Sequence, residues 1–331
     1  MTSTFSYLPP CNAAVVSSSS LRYYLKPKFP ALSSPSTVPF RSKTAISCSP
    51  SAHADASVQT DFCFLKKREF VFSAALPFLL ILHESVEGFR AGAAELDRSE
   101  DERIREEVRK VVTKGRAPGL LRLVFHDAGT FEMNDNSGGM NGSIIHELNR
   151  PENKGLKKSV KILEEAKSKL DLIRPVSWAD LIAVAGAEAV SICGGPIIAV
   201  ELGRLDLGKP DPEGKLPEES LDAVGLKQIF SKKGFATREL VALSGAHTIG
   251  GKGFGSPIVF DNAYFKILLE KPWSSKGGMS SMIGLPSDRA LADDDECLRW
   301  IKEYANNQTV FFEDFQNAYI KLVNSGAKWK S

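Results

Sequence analysis

The chain has 331 residues, of which 43% are hydrophobic and 25% are charged, and its formal net charge is +2. A chain of this length can form about two domains with a substantial buried core, and its composition is that of a soluble globular protein. The near-neutral charge excludes the strongly basic signature of a protein that binds nucleic acid.

The N-terminal region has an unusual charge distribution. Residues 1–54 contain no Asp or Glu, whereas they contain five basic residues and many serines, including the run SSSS at 17–20. A basic, serine-rich and acid-free N-terminus is typical of an organellar transit peptide. We therefore interpret residues 1–65 as a chloroplast transit peptide; the alternative is a disordered tail without a targeting function.

A second targeting segment follows at residues 66–93. The sequence KKREFVFSAALPFLLIL (66–82) joins a basic cluster to an apolar run, and AGAA (91–94) supplies small residues for a cleavage site. The apolar run (70–82) is shorter than the about 20 residues that a bilayer-spanning helix needs, so a cleaved signal segment is favoured over a permanent anchor. Two successive signals predict the thylakoid lumen, with the export route and peripheral attachment to the lumenal membrane face left open.

The remaining residues, 94–331, have the hydrophobic periodicity of a series of helices. Apolar residues recur at helical spacing, and glycines end several segments. Helices are predicted at 101–115, 118–129, 153–170, 177–195, 218–232, 237–248, 261–270, 287–306 and 309–325. The fold class is therefore predicted to be mainly α, with residues 197–202 as a candidate short strand.

A Pro- and Gly-rich loop around residues 194–217 marks a boundary within the helical region. It predicts one helical domain at 94–193 and a second at 194–331. Only Cys193 and Cys297 remain after the two targeting segments. Neither a disulfide framework nor a cysteine-based zinc site is therefore predicted, and a single disulfide stays open.

Three histidines remain outside the targeting segments: His126, His146 and His247. Arg122 stands four residues before His126 in LRLVFHDAG, a spacing that places both side chains on one face of a helix. From spacing alone, a solvated Arg–His pair at a helix end is the simpler interpretation. A single histidine among apolar residues, such as His247 in LVALSGAHTIGG, is likewise more often a hydrogen-bonded core residue than a metal ligand.

Taken together, the segments around these histidines resemble a known family. LLRLVFHDAGTF and LVALSGAHTIGG resemble the distal and proximal signatures of the plant-type (class I) haem peroxidases, and those of the ascorbate peroxidase branch most closely. Further segments resemble ascorbate peroxidases in the same order: NGSIIHELNRPENKGL, SWADLIAVAGAEAVSICGGP, GRLDLGKPDPEGKLPE, FDNAYF and LPSDRALADD. The resemblance implies a two-domain helical fold with a haem b group in the cleft between a distal and a proximal half.

The resemblance also implies a role for each of five residues. On the proximal side, His247 would be the axial ligand of the haem iron, and Asp288 would accept the hydrogen of the other ring nitrogen. On the distal side, His126 would transfer a proton between the two oxygens of hydrogen peroxide, and Arg122 would stabilise the developing negative charge. Asn153 would hydrogen-bond His126 and sustain its basicity.

The segment between His247 and FDN (260–262) is shorter than in the ascorbate peroxidases. It lacks counterparts of the tryptophan beneath the proximal histidine, of the arginine that binds ascorbate, and of part of a monovalent-cation site. Thr248 and Asp261 match the remaining ligands of that cation site. On the distal side, Phe125 stands where ascorbate peroxidases carry a tryptophan.

Two functions follow as hypotheses. The first is a haem peroxidase of the ascorbate peroxidase type that removes hydrogen peroxide in the thylakoid with a small reductant such as ascorbate. The second, motivated by the short segment 249–260, is a non-catalytic lumenal protein that keeps the peroxidase fold and binds a thylakoid membrane protein complex. An open slot between His126 and His247 favours the first, and a slot filled by residues 250–260 favours the second.

Overall fold

The computed structural model describes residues 101–271, 273 and 283–330. The transit peptide (1–65) and the signal segment (66–93) that the sequence predicts lie outside these ranges. Among the described residues, no helix combines the length and the apolar character that crossing a bilayer requires.

The described part of the chain is mainly α-helical, which confirms the predicted fold class. Helix α1 covers residues 101–111. The later helices are α2 (Ala117–Ala128), α3 (Lys157–Asp171), α4 (Trp178–Ile192), α5 (Ala223–Lys232), α6 (Thr237–Ser244), α7 (Ala263–Leu269), α8 (Pro286–Leu291), α9 (Asp295–Asn306) and α10 (Gln308–Asn324). Short 3₁₀ helices lie at Ser143–His146, Pro151–Asn153 and Gly245–Thr248.

Helix α4 is buried along its length and packs against α2. The Ser177 side chain caps α4 by accepting the backbone N–H of Asp180, as the sequence pattern predicts. Residues 179–190 are all buried. At Gly186 a Cβ would clash with the Tyr319 hydroxyl of α10 and with a methyl group of α2. The small residues of α4 therefore set how closely α2 approaches, and α2 carries the predicted distal residues.

The candidate strand at residues 197–202 is a wrong prediction. In the described ranges, β pairing is limited to two isolated bridges, and neither includes this segment. The Arg105 guanidinium instead donates to the backbone carbonyls of Ile198 at 3.4 Å and Val200 at 3.2 Å. A side chain thus satisfies carbonyl groups that a strand would pair with a neighbouring strand.

Several predicted helices have shifted boundaries in the structure, and two of the shifts have a clear cause. The segment 287–306 forms two helices, α8 and α9, because the Asp294 side chain accepts a backbone N–H of α9 and starts a new helix. The segment 218–232 becomes helical only from Ala223, because Asp222 caps α5 in the same way. Aspartates within a periodic segment therefore mark helix starts that the hydrophobic pattern alone did not reveal.

A buried arginine joins distant parts of the fold. Arg204 is fully buried, and its guanidinium donates to Asp180 Oδ1 at 3.1 Å, to the Val323 carbonyl at 2.7 Å and to Asn324 Oδ1 at 2.6 Å. It also lies over the Trp329 ring, 4.5 Å from the centroid. These contacts tie the start of α4 to the end of α10.

The predicted boundary between domains 94–193 and 194–331 stays a prediction. Contacts cross it, since the Tyr319 hydroxyl of α10 donates to the Ala183 carbonyl of α4 at 2.7 Å.

Cys193 and Cys297 are both buried free thiols.

We expect Arg204→Ala to lower the free energy of unfolding by about 3–5 kcal/mol, because it leaves the buried Asp180 carboxylate without its counter-charge. Urea denaturation followed by circular dichroism measures this change. Lys302→Ala, at an exposed position of α9, is the matched control and should change stability by less than about 0.5 kcal/mol. Equal losses in the two variants would contradict the anchoring role.

Candidate active site

A cavity of about 1130 Å³ is lined by both His126 and His247. Its apolar wall includes Leu121, Val124, Phe125, Leu226, Phe230 and Leu240. The Phe125 ring lies edge-on to His126, with 6.3 Å between centroids. Ligand cavities commonly measure about 300–1,000 Å³ and are mostly apolar with a few convergent polar groups, so this one is large enough for a flat macrocycle.

Helix α2 presents Arg122 and His126 one turn apart on the face that lines the cavity. Arg122 Nε donates to His126 Nε2 at 3.2 Å. The two terminal nitrogens of the guanidinium donate to the carbonyls of Glu152, at 2.6 Å, and Lys154, at 2.9 Å. Hydrogen bonds therefore hold the Arg–His pair in the cavity wall, although Arg122 is exposed and His126 lies in the last turn of α2.

The second ring nitrogen of His126 is held by a buried asparagine. His126 Nδ1 lies 2.7 Å from Asn153 Oδ1, and Asn153 Nδ2 donates to the Glu147 carbonyl at 3.0 Å. Since the amide nitrogen of Asn153 is used in that second bond, its oxygen faces the imidazole and Nδ1 is the donor. The lone pair of His126 is consequently on Nε2.

The environment of His126 keeps its imidazole neutral. Burial lowers the pKa of His126 from 6.5 to about 4, the positive charge of Arg122 acts in the same direction, and the Asn153 hydrogen bond opposes them. At neutral pH the residue is therefore an uncharged base.

On the other side of the cavity, His247 lies in the 3₁₀ segment that extends α6. Its Nδ1 donates to Asp288 Oδ1 at 2.7 Å. The imidazole is 39% exposed, whereas the Asp288 side chain is 2% exposed. One ring nitrogen is thus fixed by a buried carboxylate, and Nε2 is left as the nitrogen that can bind a metal.

The Asp288 carboxylate is the centre of a hydrogen-bonded group. Besides His247, it accepts the Tyr264 hydroxyl at 2.9 Å and the Leu285 backbone N–H at 2.8 Å. Sequence reasoning missed Tyr264, although FDNAYF was among the family-like segments. Its contact with Asp288 joins α7 to α8, which no local pattern reveals.

His247 and Asp288 shift each other's pKa in opposite directions. Burial opposes the charged form of both groups. Their mutual attraction outweighs it, so the pKa of His247 is raised and the pKa of Asp288 is lowered. The carboxylate therefore stays ionised and makes the imidazole electron-rich.

The shortened segment after His247 does not fill the cavity. Only residues 249–252 of this segment line it. Phe254 points into the core and packs against Tyr264 with 4.6 Å between centroids. Trp273 Nε1 donates to the Leu268 carbonyl at 3.0 Å, which ties this tryptophan to α7.

The predicted cation ligands Thr248 and Asp261 are brought together. Thr248 Oγ1 donates to Asp261 Oδ1 at 2.9 Å, and the same oxygen accepts the Ala263 backbone N–H at 3.0 Å. In the ranges that the structure describes, no cluster of three or more His, Cys, Asp or Glu side chains could hold a metal ion. The cation site therefore stays a prediction.

The residues present fit a haem group. The cavity offers an apolar slot, one imidazole nitrogen for the iron and a neutral base with an arginine beside it. An axial histidine oriented by a carboxylate is a recurring way to hold haem iron.

Comparison with known proteins likewise identifies a peroxidase. The model of the family described as Peroxidase matches residues 104–307. "Putative L-ascorbate peroxidase 6" of Arabidopsis thaliana is 73% identical over 226 residues, which is 68% of this chain and 69% of that protein. "L-ascorbate peroxidase 2, cytosolic" of the same plant is 38% identical over 228 residues, covering 65% of this chain and 87% of the relative.

A third relative extends the match. "L-ascorbate peroxidase 5, peroxisomal" of Arabidopsis thaliana is 39% identical over 240 residues, covering 69% of this chain and 82% of the relative. The family match includes both histidines of the cavity. The chain therefore belongs to the peroxidase family, and within it to the ascorbate peroxidase branch.

Proposed function

We propose that this haem peroxidase reduces hydrogen peroxide with a small reductant such as ascorbate in the chloroplast thylakoid lumen. One observation carries the catalytic part: two histidines from separate elements line one cavity, and each has one ring nitrogen fixed by a buried partner. The fixed partners leave both Nε2 atoms for chemistry in the cavity.

On the distal side, His126 is the proton carrier. Its Nε2 lone pair takes the proton from one oxygen of hydrogen peroxide and returns it to the other, which leaves as water. Arg122 stabilises the negative charge on the separating oxygens, an interaction that the apolar cavity strengthens. Because Arg122 Nε donates to His126 Nε2 in this structure, peroxide must take the place of that hydrogen bond.

On the proximal side, His247 would hold the haem iron through Nε2. The haem, when bound, would supply the two electrons that the peroxide takes up and would regain electrons from the reductant. Asp288 fixes the ring orientation and tautomer of His247, and Tyr264 and the Leu285 N–H keep Asp288 ionised.

Ascorbate as the reductant is a proposal supported by the names of the relatives. The cavity rim contains the cationic side chains of Lys154 and Lys252, which can attract the ascorbate anion, together with Glu218 and Glu219. We expect weaker ascorbate binding than at a site with a dedicated arginine, since these lysines are exposed.

The open cavity favours catalysis over the non-catalytic alternative. A protein that only binds a thylakoid membrane complex has no need for two hydrogen-bonded groups on one cavity, Arg122–His126–Asn153 and His247–Asp288. Of the segment 249–260, which motivated that alternative, only residues 249–252 line the cavity that His126 and His247 share.

The thylakoid location is supported by the sequence of residues 1–93. The acid-free N-terminus and the following basic-apolar segment fit two successive targeting signals. Peripheral attachment to the lumenal membrane face belongs to the same proposal.

We expect His247→Ala to abolish the change in the haem absorption spectrum that follows addition of haemin to the full chain, because it removes the nitrogen that binds iron. His146→Ala, an exposed histidine outside the cavity wall, is the control and should behave as wild type. Identical spectra of wild type and His247→Ala would remove the axial-ligand role.

We expect Arg122→Ala and His126→Ala each to slow the reaction with hydrogen peroxide by about 10²–10⁴-fold, measured by stopped-flow absorbance. In wild type the rate should stay constant as pH falls from neutral and decline only through about pH 4, where His126 becomes protonated. Asn153→Ala should move this decline to lower pH, since the Asn153 hydrogen bond raises the His126 pKa. A decline centred near 6.5 would contradict the assigned environment of His126.

We expect isolated chloroplasts that import the full chain to contain a lumenal product beginning near residue 94. Protease treatment of intact and opened thylakoids, followed by mass spectrometry of the N-terminus, measures this. A deletion of residues 66–93 is the control, and we expect its product to stay in the stroma. A product of full length outside the chloroplast would overturn the location.

A further inference from the structure

One wall of the cavity is an irregular segment of the chain. Residues 211–219 form neither helix nor strand. The residues of this segment that line the cavity are Glu213, Gly214, Leu216, Pro217, Glu218 and Glu219. A segment without its own backbone ladder keeps its shape only where other elements hold it. We name residues 211–219 the strap.

Both ends of the strap are fastened, one to each side of the cavity. The buried Asp211 accepts the Thr130 hydroxyl at 2.7 Å, and its backbone N–H donates to Glu147 Oε1 at 2.8 Å. At the other end, the Glu219 carbonyl accepts the backbone N–H of Ser287, in α8, at 3.1 Å. The strap therefore runs from the distal side of the site to the proximal side.

A buried lysine holds the middle of the strap. Lys233 directly follows α5 and is 4% exposed, and its ammonium donates to the carbonyl of Lys215 at 2.8 Å and to that of Phe131 at 3.0 Å. Next to Lys215, Leu216 packs on the end of α2, where a Cβ at Gly129 would lie 2.9 Å from a Leu216 methyl carbon. Lys233 thus joins the strap to α5 and to the segment that follows the distal helix.

The partners of Lys233 are unusual for a buried cation. Its ammonium bonds to two carbonyl groups and, within the described ranges, forms no ion pair, whereas the buried Arg204 faces the Asp180 carboxylate. Burial lowers the pKa of Lys233 to about 8, and the charge of Glu132 opposes that shift. The group is therefore still charged at neutral pH. Since an apolar side chain would fill this space without the cost of desolvating a charge, packing alone does not account for a lysine here.

The strap carries most of the negative charge at the cavity rim. Three of the four glutamates that line the cavity belong to the strap, and all three are exposed; the fourth is Glu152. The charge of Glu219 acts on the interior of the cavity: burial lowers the pKa of Arg122, and Glu219 opposes that shift. Fixed negative charges at an entrance repel an anion and leave a neutral molecule unaffected.

We propose that Lys233 is a positioning residue that fixes the strap, and that the strap glutamates make the enzyme discriminate against anionic reductants in favour of neutral ones. An uncharged phenol approaches the rim without the electrostatic cost that the ascorbate anion meets there. The inference deepens the proposed peroxidase function and rests on it, because discrimination between reductants requires that a reductant is oxidised.

Trypsin cleavage of the full chain tests the positioning role without a measurement of activity. Lys233 holds the carbonyl of the Lys215–Leu216 bond, so trypsin can cut this bond only when the strap is released. We expect Lys233→Met, which keeps the length of the side chain but has no donor, to speed this cleavage at least tenfold. Lys233→Arg, which keeps the donors, should stay near wild type. Lys232→Met, at the exposed neighbouring position, is the matched control.

Cleavage after Lys161, an exposed residue of α3, is the internal reference, because unfolding of the whole chain speeds cleavage there as well. An increase in Lys233→Met that is confined to the Lys215–Leu216 bond supports the positioning role. No increase, or an equal increase at both bonds, overturns it.

A comparison of two reductants tests the discrimination. We measure kcat/KM of the haemin-loaded full chain for ascorbate and for the neutral phenol guaiacol. Replacing all three strap glutamates, in the variant Glu213→Gln/Glu218→Gln/Glu219→Gln, should raise the ratio of the ascorbate value to the guaiacol value about tenfold at low ionic strength. The increase should shrink in about 0.5 M salt, because salt screens exposed charges.

Two further variants separate the rim charges from net charge and from stability. Glu164→Gln/Glu165→Gln/Glu303→Gln removes three exposed acidic groups outside the cavity wall and should leave the ratio unchanged. Lys233→Met should raise the ratio in the wild-type background and have no further effect in the strap glutamine variant, because the released strap then carries no glutamate charge. A lysine with only a structural role would change both kcat/KM values by the same factor.

The outcomes distinguish the inference from the proposed function. If the haemin-loaded wild type oxidises neither reductant with peroxide, the proposed function fails and the discrimination fails with it, whereas trypsin cleavage still decides the positioning role. If both reductants are oxidised and the ratio is the same in wild type and in the strap glutamine variant, the discrimination alone is overturned.

Discussion

The contact between His247 and Asp288 is the constraint on which the rest of the site depends. A carboxylate in an almost fully buried position is stable only with several donors around it, and here an imidazole, a phenol and a backbone amide supply them. The contact requires α7, α8 and the 3₁₀ extension of α6 to converge on one point. The proximal side of the fold therefore acts as a scaffold that brings three hydrogen-bond donors to the Asp288 carboxylate.

Opposite environments suit two chemically identical side chains to the different roles proposed for them. Burial and a neighbouring arginine lower the pKa of His126, which makes it a neutral base. A neighbouring carboxylate raises the pKa of His247 and holds the ring with its free nitrogen available to a metal. This division of roles by surroundings is a general way in which one residue type serves both acid–base chemistry and ligation.

Local patterns predicted the parts of the molecule that depend on local forces. The helices follow from hydrophobic periodicity, and the i, i+4 spacing placed Arg122 and His126 on one face of α2. The pairing of His247 with Asp288 was accessible only through family resemblance, since the two are far apart in sequence. Tyr264 was missed because its partner lies on another helix, and the strand at 197–202 was wrong because a side chain satisfies its carbonyls.

One short turn of the distal side has a consequence for how this site can vary. The 3₁₀ helix Pro151–Asn153 supplies Asn153 to the imidazole, and the carbonyls of Glu152 and Lys154 hold the Arg122 guanidinium. A backbone shift there moves the base and the arginine together. The energetic effects of substitutions in this turn and on the facing side of α2 are therefore non-additive, so the two segments are expected to change in concert during divergence.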